Sequence, residues 1–253
     1  MISAAFSRVG EPLRIAMWSG PRNISTAMMR SFSSRADCAV SDEPFYGCFL
    51  AASGADHPMR DDVIASMDFN WQSVARTLAG EAPAGKPVWY QKHMPHHMVG
   101  PITPDDLSGV VHAFLIRDPA RMAASYAAKR EAVTPEDLGV GAQRAFFDRV
   151  AERLGHAPPV IDSADVLRDP AGTLSALCRA LDIPWDEAML SWAPGRHPDD
   201  GVWAAHWYGR VEASSGFGAP EPEPAPLPPG LAAVADACRA DYEAMAAHRL
   251  RAD

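Results

Sequence analysis

The chain has 253 residues, of which 47% are hydrophobic, and this is enough to build one sizeable α/β core. The formal net charge at pH 7 is −9, which disfavours a nucleic-acid partner because such proteins normally present a basic face. No apolar run approaches the roughly 20 residues that span a bilayer. The first 13 residues lack the apolar core of a signal peptide, so we expect a cytoplasmic protein without a membrane partner.

The cysteines and histidines do not predict a metal site. None of the four cysteines stands in a C-x-x-C pair, so we expect free thiols in a reducing compartment. His93, His96 and His97 are close together in the sequence, but no second set of ligands follows at an ordered spacing. We therefore expect no bound metal.

Strand and helix signals alternate along the first half of the chain. Residues 14–18 predict a strand that runs into Ser19-Gly20-Pro21, and residues 25–33 predict a helix with one apolar face. Apolar residues recur at helical spacing over 61–79, which predicts one amphipathic helix there. Short apolar runs predict further strands over 38–40, 88–91 and 110–116.

The second half of the chain continues this alternation. A helix is predicted after residue 116 and as far as Lys129, and another over 135–154 with Thr134 as its N-cap. The proline-rich residues 219–229 predict an extended surface connector. The remaining predicted elements are a strand over 159–161 and helices over 170–182 and 230–248.

Strands that alternate with helices predict an α/β fold in which a central, mostly parallel sheet is flanked by helices in three layers. We expect a single domain over residues 1–253. Ligands of such sheets bind beyond the carboxyl ends of the strands. Each polar motif described below follows a predicted strand, so we expect these motifs to lie at one edge of the sheet.

The first motif links a predicted strand to a helix and reads Ser19-Gly20-Pro21-Arg22-Asn23-Ile24-Ser25-Thr26. Backbone N–H groups at the start of a helix attract anions, and Arg22 adds a positive charge, so the loop indicates a phosphate site. A metal-dependent nucleotide kinase would have a lysine at the position of Thr26. In the alternative interpretation, Ser25 only caps the helix.

The second motif is Arg117, which ends the most apolar predicted strand, followed by Ser125 on the next helix. An arginine at the end of a buried strand can direct its guanidinium into a cleft, and the serine lies two turns into the helix. The two side chains together suit a second phosphate. The alternative is a structural arginine that pairs with Asp118 or Asp42.

The order of these motifs resembles that of sulfotransferases that use 3′-phosphoadenosine 5′-phosphosulfate (PAPS). The family loop Pro-Lys-x-Gly-[ST]-[ST] is similar to residues 21–26, with Arg22 at the lysine position and Ile24 in place of the glycine. Arg117 and Ser125 match a family pair separated by eight residues. His93-Met94-Pro95 resembles a family His-x-Pro turn that often carries the base. The similarity covers residues 14–126 and is fainter beyond.

The resemblance implies a P-loop-like fold, PAPS as donor and no metal. It implies that Arg22 holds the bridging oxygen and the 5′-phosphate, and that Arg117 and Ser125 hold the 3′-phosphate. Asn23, Ile24, Ser25 and Thr26 would complete the 5′-phosphate loop. The loop is more similar to that of a bacterial and plant branch of sulfotransferase-like proteins with the sequence Ser-Gly-Pro-Arg-Asn-Ile-Ser-Thr, and the resemblance names no acceptor for that branch.

Two residues are candidates for the base that takes a proton from the acceptor. We expect His93 to be neutral at pH 7 and to point its imidazole at the mouth of the cleft. Glu43 is the second candidate, with a pKa lowered by Lys92 and Arg22, which would make it the weaker base. Each could instead be structural, Glu43 as an ion-pair partner of Arg22 or Lys92.

Aromatic residues late in the chain include Trp203 and Trp207, which predict either a lid or adenine platform or a packed subcore. Four residues are candidates to line an acceptor pocket, namely Phe45, Tyr46, Phe49 and Met94. The sequence thus predicts sulfuryl transfer from PAPS to a hydroxyl or amine of a small molecule. The alternatives are a nucleotide kinase and a non-catalytic nucleotide-binding protein on the same fold, and the oligomeric state stays open.

Overall fold

A computed structural model of the chain describes residues 11–128, 132–222 and 224–252. Five parallel strands form a sheet in the order β2-β3-β1-β4-β5. The predicted α/β fold with a central parallel sheet is confirmed. The strands are β1 (Leu13–Ser19), β2 (Cys38–Asp42), β3 (Val88–His93), β4 (Val110–Ile116) and β5 (Val160–Asp162).

Helices cover both faces of this sheet because alternate strand residues point to opposite sides. The helices are α1 (Ser25–Ser33), α2 (Tyr46–Ser53), α3 (Arg60–Ser66), α4 (Trp71–Leu78), α5 (Pro119–Ala127), α6 (Pro135–Leu138), α7 (Val140–Leu154), α8 (Ser163–Arg168), α9 (Pro170–Ala180), α10 (Ala204–Trp207), α11 (Gly209–Glu212), α12 (Pro229–Ala237) and α13 (Arg239–Ala246). On β1, Ile15 and Met17 lie in a core cluster with apolar residues of α1 and α9, whereas Ala16 and Trp18 lie in another cluster with residues of α5 and α7.

Three predicted helices are each divided in two. The helix predicted over 61–79 is broken between α3 and α4, because Met67 is extended and the Asn70 side chain caps α4 by accepting the Ser73 N–H at 2.9 Å. The helix predicted over 135–154 is interrupted at Gly139, which has a left-handed φ of 66°. The last helix, predicted over 230–248, is broken at Cys238 into α12 and α13.

Other predictions agree more closely with the structure. Thr134 caps α6 and forms a capping box with Asp137, as its position before a proline predicted. The helix predicted to reach Lys129 is α5, which ends at Ala127, and Lys129 itself lies outside the described residues. The four cysteines are free and buried. Within the described ranges, no helix combines the length and the apolarity needed to cross a bilayer.

Candidate active site

A cavity of about 330 Å³ lies beyond the carboxyl ends of four strands. Its wall includes Pro21 after β1, Glu43 after β2, Met94 after β3 and Arg117 after β4. Parallel strands bring their carboxyl ends to one edge of the sheet, so motifs far apart in the sequence meet here. The chain between Trp203 and Glu221 packs over this edge and supplies a further part of the wall.

The loop between β1 and α1 has a backbone suited to an anion. Arg22 and Ile24 both adopt left-handed conformations, with φ of 59° and 48°, and such turns gather backbone N–H groups into a concave nest. Ile24 is the N-cap of α1, and isoleucine has no side-chain oxygen to accept the free N–H groups of the first turn. Ser25 is the first helical residue and not the cap, which removes the structural alternative for this loop.

The side chains of this loop divide between the cavity and the core. Asn23 is buried, and its amide donates to the Leu115 carbonyl at 2.6 Å, which ties the loop to β4. Ser25 and Thr26 line the cavity beside Arg22. Asn23 therefore positions the loop, while the two hydroxyl side chains lie where a bound anion would be.

The structure brings Arg22, Arg117 and Ser125 together. The Arg22 Nε donates to Ser125 Oγ at 3.1 Å, and the guanidinium of Arg117 donates to the carbonyl oxygen of Arg22. Arg210 lines the same part of the cavity. Burial, followed by the charges of Arg210 and Arg117, lowers the pKa of Arg22. An anion placed among these guanidiniums would relieve their mutual repulsion.

Glu221 is a cavity residue that the sequence analysis did not identify. It lies in the proline-rich segment predicted as a surface connector, and its Oε1 accepts from Arg117 at 2.5 Å. Its Oε2 is 3.5 Å from Arg121, which also donates to the Pro222 carbonyl at 2.6 Å. Arg117 is therefore paired, but with Glu221 and not with Asp118 or Asp42. Proline composition predicts an extended chain and carries no information on where that chain lies.

A compact network of charges lies at the end of the cavity that follows β2 and β3, whereas Arg22 and Arg117 follow β1 and β4. The Lys92 ammonium donates to Asp42 at 2.8 Å, to Glu43 at 2.5 Å and to the Tyr208 hydroxyl at 2.6 Å. That hydroxyl in turn donates to Asp42 at 2.8 Å. Burial alone would lower the pKa of Lys92, but Asp42 and Glu43 outweigh it and raise that pKa well above its usual range. Lys92 is thus a fixed cation between two carboxylates.

Glu43 is the member of this network whose carboxylate opens to the cavity. Its backbone is left-handed, with φ of 45°, and its N–H donates to the Lys92 carbonyl at 3.0 Å, so the backbone fixes its position. The side chain is 11% exposed. Burial raises the pKa of Glu43, with Asp42 adding to the increase and Lys92 opposing it. The expectation that neighbouring cations lower this pKa is therefore wrong, because burial outweighs them.

The structure does not bring His93 to the cavity, which corrects the prediction that its imidazole faces the cleft. The ring is 1% exposed, stacks on Trp18 at 4.5 Å between centroids, and bonds to Gln91 across 3.2 Å. Side chains alternate along β3, so Lys92 faces the cavity and His93 faces the core on the other side. Burial, more than the neighbouring His112, lowers the pKa of His93 to about 3.

Other imidazoles and aromatic rings surround Glu43. His97 stacks on Tyr46 at 4.6 Å between centroids, and its Nδ1 is 4.0 Å from a Glu43 oxygen. Burial lowers the pKa of His96 to about 4 and that of His97 well below its usual value, so both rings are neutral at pH 7. His57 is a third imidazole in this wall. This end therefore offers neutral hydrogen-bonding groups and one carboxylate.

The late aromatic residues have two different positions. Trp203 is 2% exposed and belongs to a core cluster, and its Nε1 donates to the Tyr208 hydroxyl at 3.1 Å. It thus fits the packed-subcore interpretation, although one edge reaches the cavity. Trp207 is only partly buried and lines the cavity. Of the residues expected around an acceptor, Tyr46 and Met94 line the cavity. Phe45 and Phe49 instead belong to buried core clusters.

Comparison with known proteins adds to this geometry. A family model described as a sulfotransferase domain matches residues 13–249. The chain belongs to the sulfotransferase family. Membership confirms the resemblance drawn from the loop and the arginine–serine pair, and it supports a transferase. Within the described residues, no group of three or more histidine, cysteine, aspartate or glutamate side chains could hold a metal ion.

Two curated relatives of this sulfotransferase-family chain come from Arabidopsis thaliana. They are the branched-chain-amino-acid aminotransferase-like proteins 1 and 2, which are 37% identical over 223 residues and 33% identical over 217 residues. These matches cover 87% and 85% of this chain but only 39% and 38% of the relatives. The chain therefore spans well under half of the length of the curated relatives it matches.

Solved structures share the fold of this chain. The sulfotransferase domain from the curacin biosynthetic pathway is 16% identical, with a TM-score of 0.54, and the match covers 91% of this chain and 98% of that one. A sulfotransferase from Alicyclobacillus acidocaldarius is 14% identical, with a TM-score of 0.55, and the match covers 96% and 98%. At these identities the likeness supports the P-loop-like sandwich fold and no finer property.

Proposed function

We propose that this chain transfers a sulfuryl group from PAPS to a hydroxyl or amine of a small-molecule acceptor. One observation carries the proposal. A single cavity holds two arginines from different strand ends, Arg22 and Arg117, and also a carboxylate with a raised pKa after a third strand, Glu43. Two cationic positions suit a nucleotide with two separate anionic groups, and the carboxylate suits proton removal from the acceptor.

The residues at the arginine end fit such a donor. The Nε–H of Arg117 is buried without an acceptor within the described residues, so this guanidinium has donor capacity that its present contacts leave unused. The first turn of α1 likewise lacks a side-chain acceptor at its cap. Arg117 and Ser125 would hold the 3′-phosphate, and residues 22–26 the 5′-phosphosulfate.

Sulfuryl transfer leaves growing negative charge on the donor's phosphate, and the chain can stabilise that charge without a metal. Arg22 is the cation of the loop, with Ser25 and Thr26 as hydroxyl donors beside it. We assign Arg22 to the bridging oxygen. The donor supplies the sulfuryl group, the bond from sulfur to the bridging oxygen breaks, and a bond from sulfur to the acceptor oxygen or nitrogen forms.

The proton released by the acceptor goes to Glu43 in this proposal. A carboxylate whose pKa is raised by burial is a stronger base than an ordinary glutamate, and the contact with Lys92 favours its ionised form. His93 is not placed to act, since its ring lies in the core. The base is therefore moved from His93, the first candidate of the sequence analysis, to Glu43, the second.

The test is an acceptor screen with PAPS, read by mass spectrometry for a gain of one sulfuryl group on the acceptor. A sulfated product that forms in the presence of a chelator supports the proposal. Phosphorylated product with ATP and Mg²⁺ would instead favour the kinase alternative. Binding of 3′-phosphoadenosine 5′-phosphate without transfer to any hydroxyl or amine would favour the non-catalytic alternative.

A further inference from the structure

The carboxylate of Glu221 lies on the same guanidinium that the proposed function assigns to the donor's 3′-phosphate. Its Oε1 accepts from the Nη2 of Arg117 at 2.5 Å, and its Oε2 lies 3.5 Å from the Nη1 of Arg121. Arg117 is about nine-tenths buried, and the Glu221 side chain is 28% exposed. Glu221 thus brings a negative charge into the cavity from the solvent side.

The donor groups of Arg117 show how an anion can bind there. Its Nη1 donates to the backbone carbonyl of Arg22, which fixes the orientation of the guanidinium. Its Nη2 is taken by Glu221, and its Nε has no acceptor among the described residues. A carboxylate has two oxygens in a plane, whereas a phosphate has three free oxygens that can reach more of the same donors. Glu221 therefore accepts from only some of the N–H donors that the Arg117 guanidinium provides.

We infer that Glu221 is a built-in competitor for the 3′-phosphate on Arg117. The inference rests on the proposed function. Two anions cannot share one guanidinium face without repulsion, so a nucleotide with a 3′-phosphate must displace the Glu221 carboxylate. A nucleotide without that phosphate leaves it in place. Glu221 thus sets how strongly the cavity distinguishes 3′-phosphorylated nucleotides from others.

The segment that carries Glu221 is suited to such a displacement. Residues 217–222 form neither helix nor strand, and the segment is held at its start by a bridge between Gly216 and Ser191. The contacts from Glu221 and Pro222 to Arg117 and Arg121 anchor its far side. Breaking the carboxylate contact therefore disturbs no regular secondary structure, and Arg121 can retain the Pro222 carbonyl.

The test measures the affinity of two nucleotides for two variants by calorimetry. Glu221→Gln removes the competing charge, and Glu81→Gln, on an exposed residue away from the cavity, removes one charge as a control. The ligands are 3′-phosphoadenosine 5′-phosphate and adenosine 5′-phosphate. We expect Glu221→Gln to bind the first about tenfold more tightly than the unmodified chain, and the second with unchanged affinity. Glu81→Gln should match the unmodified chain with both ligands.

The outcomes separate this inference from the proposed function. If the unmodified chain binds the 3′-phosphorylated nucleotide and Glu221→Gln binds it equally or less tightly, Glu221 is not a competitor. An equal gain for both nucleotides would also overturn the inference, because the effect would not depend on the 3′-phosphate. If neither nucleotide binds any of the proteins, the proposed function fails instead. Glu221→Ala serves as a second variant, since it removes the hydrogen-bond acceptor as well as the charge.

Discussion

Arg22 and Arg210 face the cavity without a carboxylate partner among the described residues, whereas Lys92 at the other end is bonded to both Asp42 and Glu43. The first arrangement leaves positive charge for a ligand to neutralise. The second is neutralised within the protein and keeps one carboxylate at the cavity surface. The difference suggests a division of labour in which the arginine end binds an anionic donor and the carboxylate end receives an uncharged acceptor and its proton.

The largest effect is expected at the carboxylate end. Glu43→Gln removes the proposed base with little change in size, and we expect turnover to fall by roughly 10²–10⁴ while donor affinity is kept. His93→Gln is the control, and it should retain turnover because the ring lies in the core. Steady-state kinetics with PAPS would check both variants. An active Glu43→Gln and an inactive but folded His93→Gln would return the base to the histidine.

Variants at the arginine end should separate the effect on donor binding from the effect on turnover. Arg117→Ala should weaken donor binding more than Arg22→Ala does, because the proposed function assigns Arg117 to a phosphate that does not react. Arg22→Ala should reduce turnover more, because the proposed function assigns Arg22 to the oxygen at which charge grows. Each loss should amount to about 2–4 kcal/mol in the affected parameter. Calorimetry and single-turnover rates would measure the two effects, and equal losses of affinity alone would deny Arg22 a role in the transition state.

The buried imidazole of His93 makes the stability of the fold sensitive to acid. The folded-state pKa of His93 is about 3, below the unfolded value near 6.5, so the folded state favours the neutral ring. Its contribution to stability is complete above about pH 6.5 and is lost as pH falls towards the folded pKa. We expect the free energy of unfolding to fall by about 1–2 kcal/mol more between pH 7 and pH 5 in the unmodified chain than in His93→Gln. Urea unfolding at both pH values gives this difference, and equal slopes for the two proteins would refute the assignment.

A smaller effect is expected from Tyr208, whose hydroxyl helps to fix Lys92 beside Glu43. Its hydroxyl accepts from Lys92 at 2.6 Å and donates to Asp42, but it is not bonded to Glu43 in the described network. Tyr208→Phe should therefore reduce turnover by only about tenfold, with donor affinity unchanged, because it loosens Lys92 without removing the base. The acid limb of its pH–rate profile should shift relative to the unmodified chain. An unchanged profile would show that Lys92 is fixed without Tyr208.

Local sequence patterns were sufficient to predict the parallel sheet and the edge of the sheet at which the cavity lies. The helix over 25–33 and the strand over 110–116 have the predicted bounds, because each is a continuous buried or amphipathic run. The ends of four such strands carry Arg22, Glu43, Lys92 and Arg117, so parallel topology alone brings them together. Breaks within helices were missed where a cap such as Asn70 restarts the helix after an extended residue.

Three features of the site depend on information that a local sequence pattern does not contain. His93 and Lys92 are adjacent, and which of them faces the cavity depends on which face of β3 packs against the rest of the core. Glu221 contacts Arg117 across 104 positions of sequence, through a segment without regular structure. The raised pKa of Glu43 likewise follows from burial of the whole Lys92 network, which composition does not reveal.

In the proposed function, one cavity holds two separate phosphates without a metal. Calorimetry with 3′-phosphoadenosine 5′-phosphate and with adenosine 5′-phosphate, both in the presence of a chelator, measures whether the second phosphate is bound. We expect the 3′-phosphorylated nucleotide to bind at least about tenfold more tightly, because Arg117 and Ser125 would add a second charge-assisted site. Equal affinities for the two nucleotides, or binding that requires Mg²⁺, would rule this arrangement out.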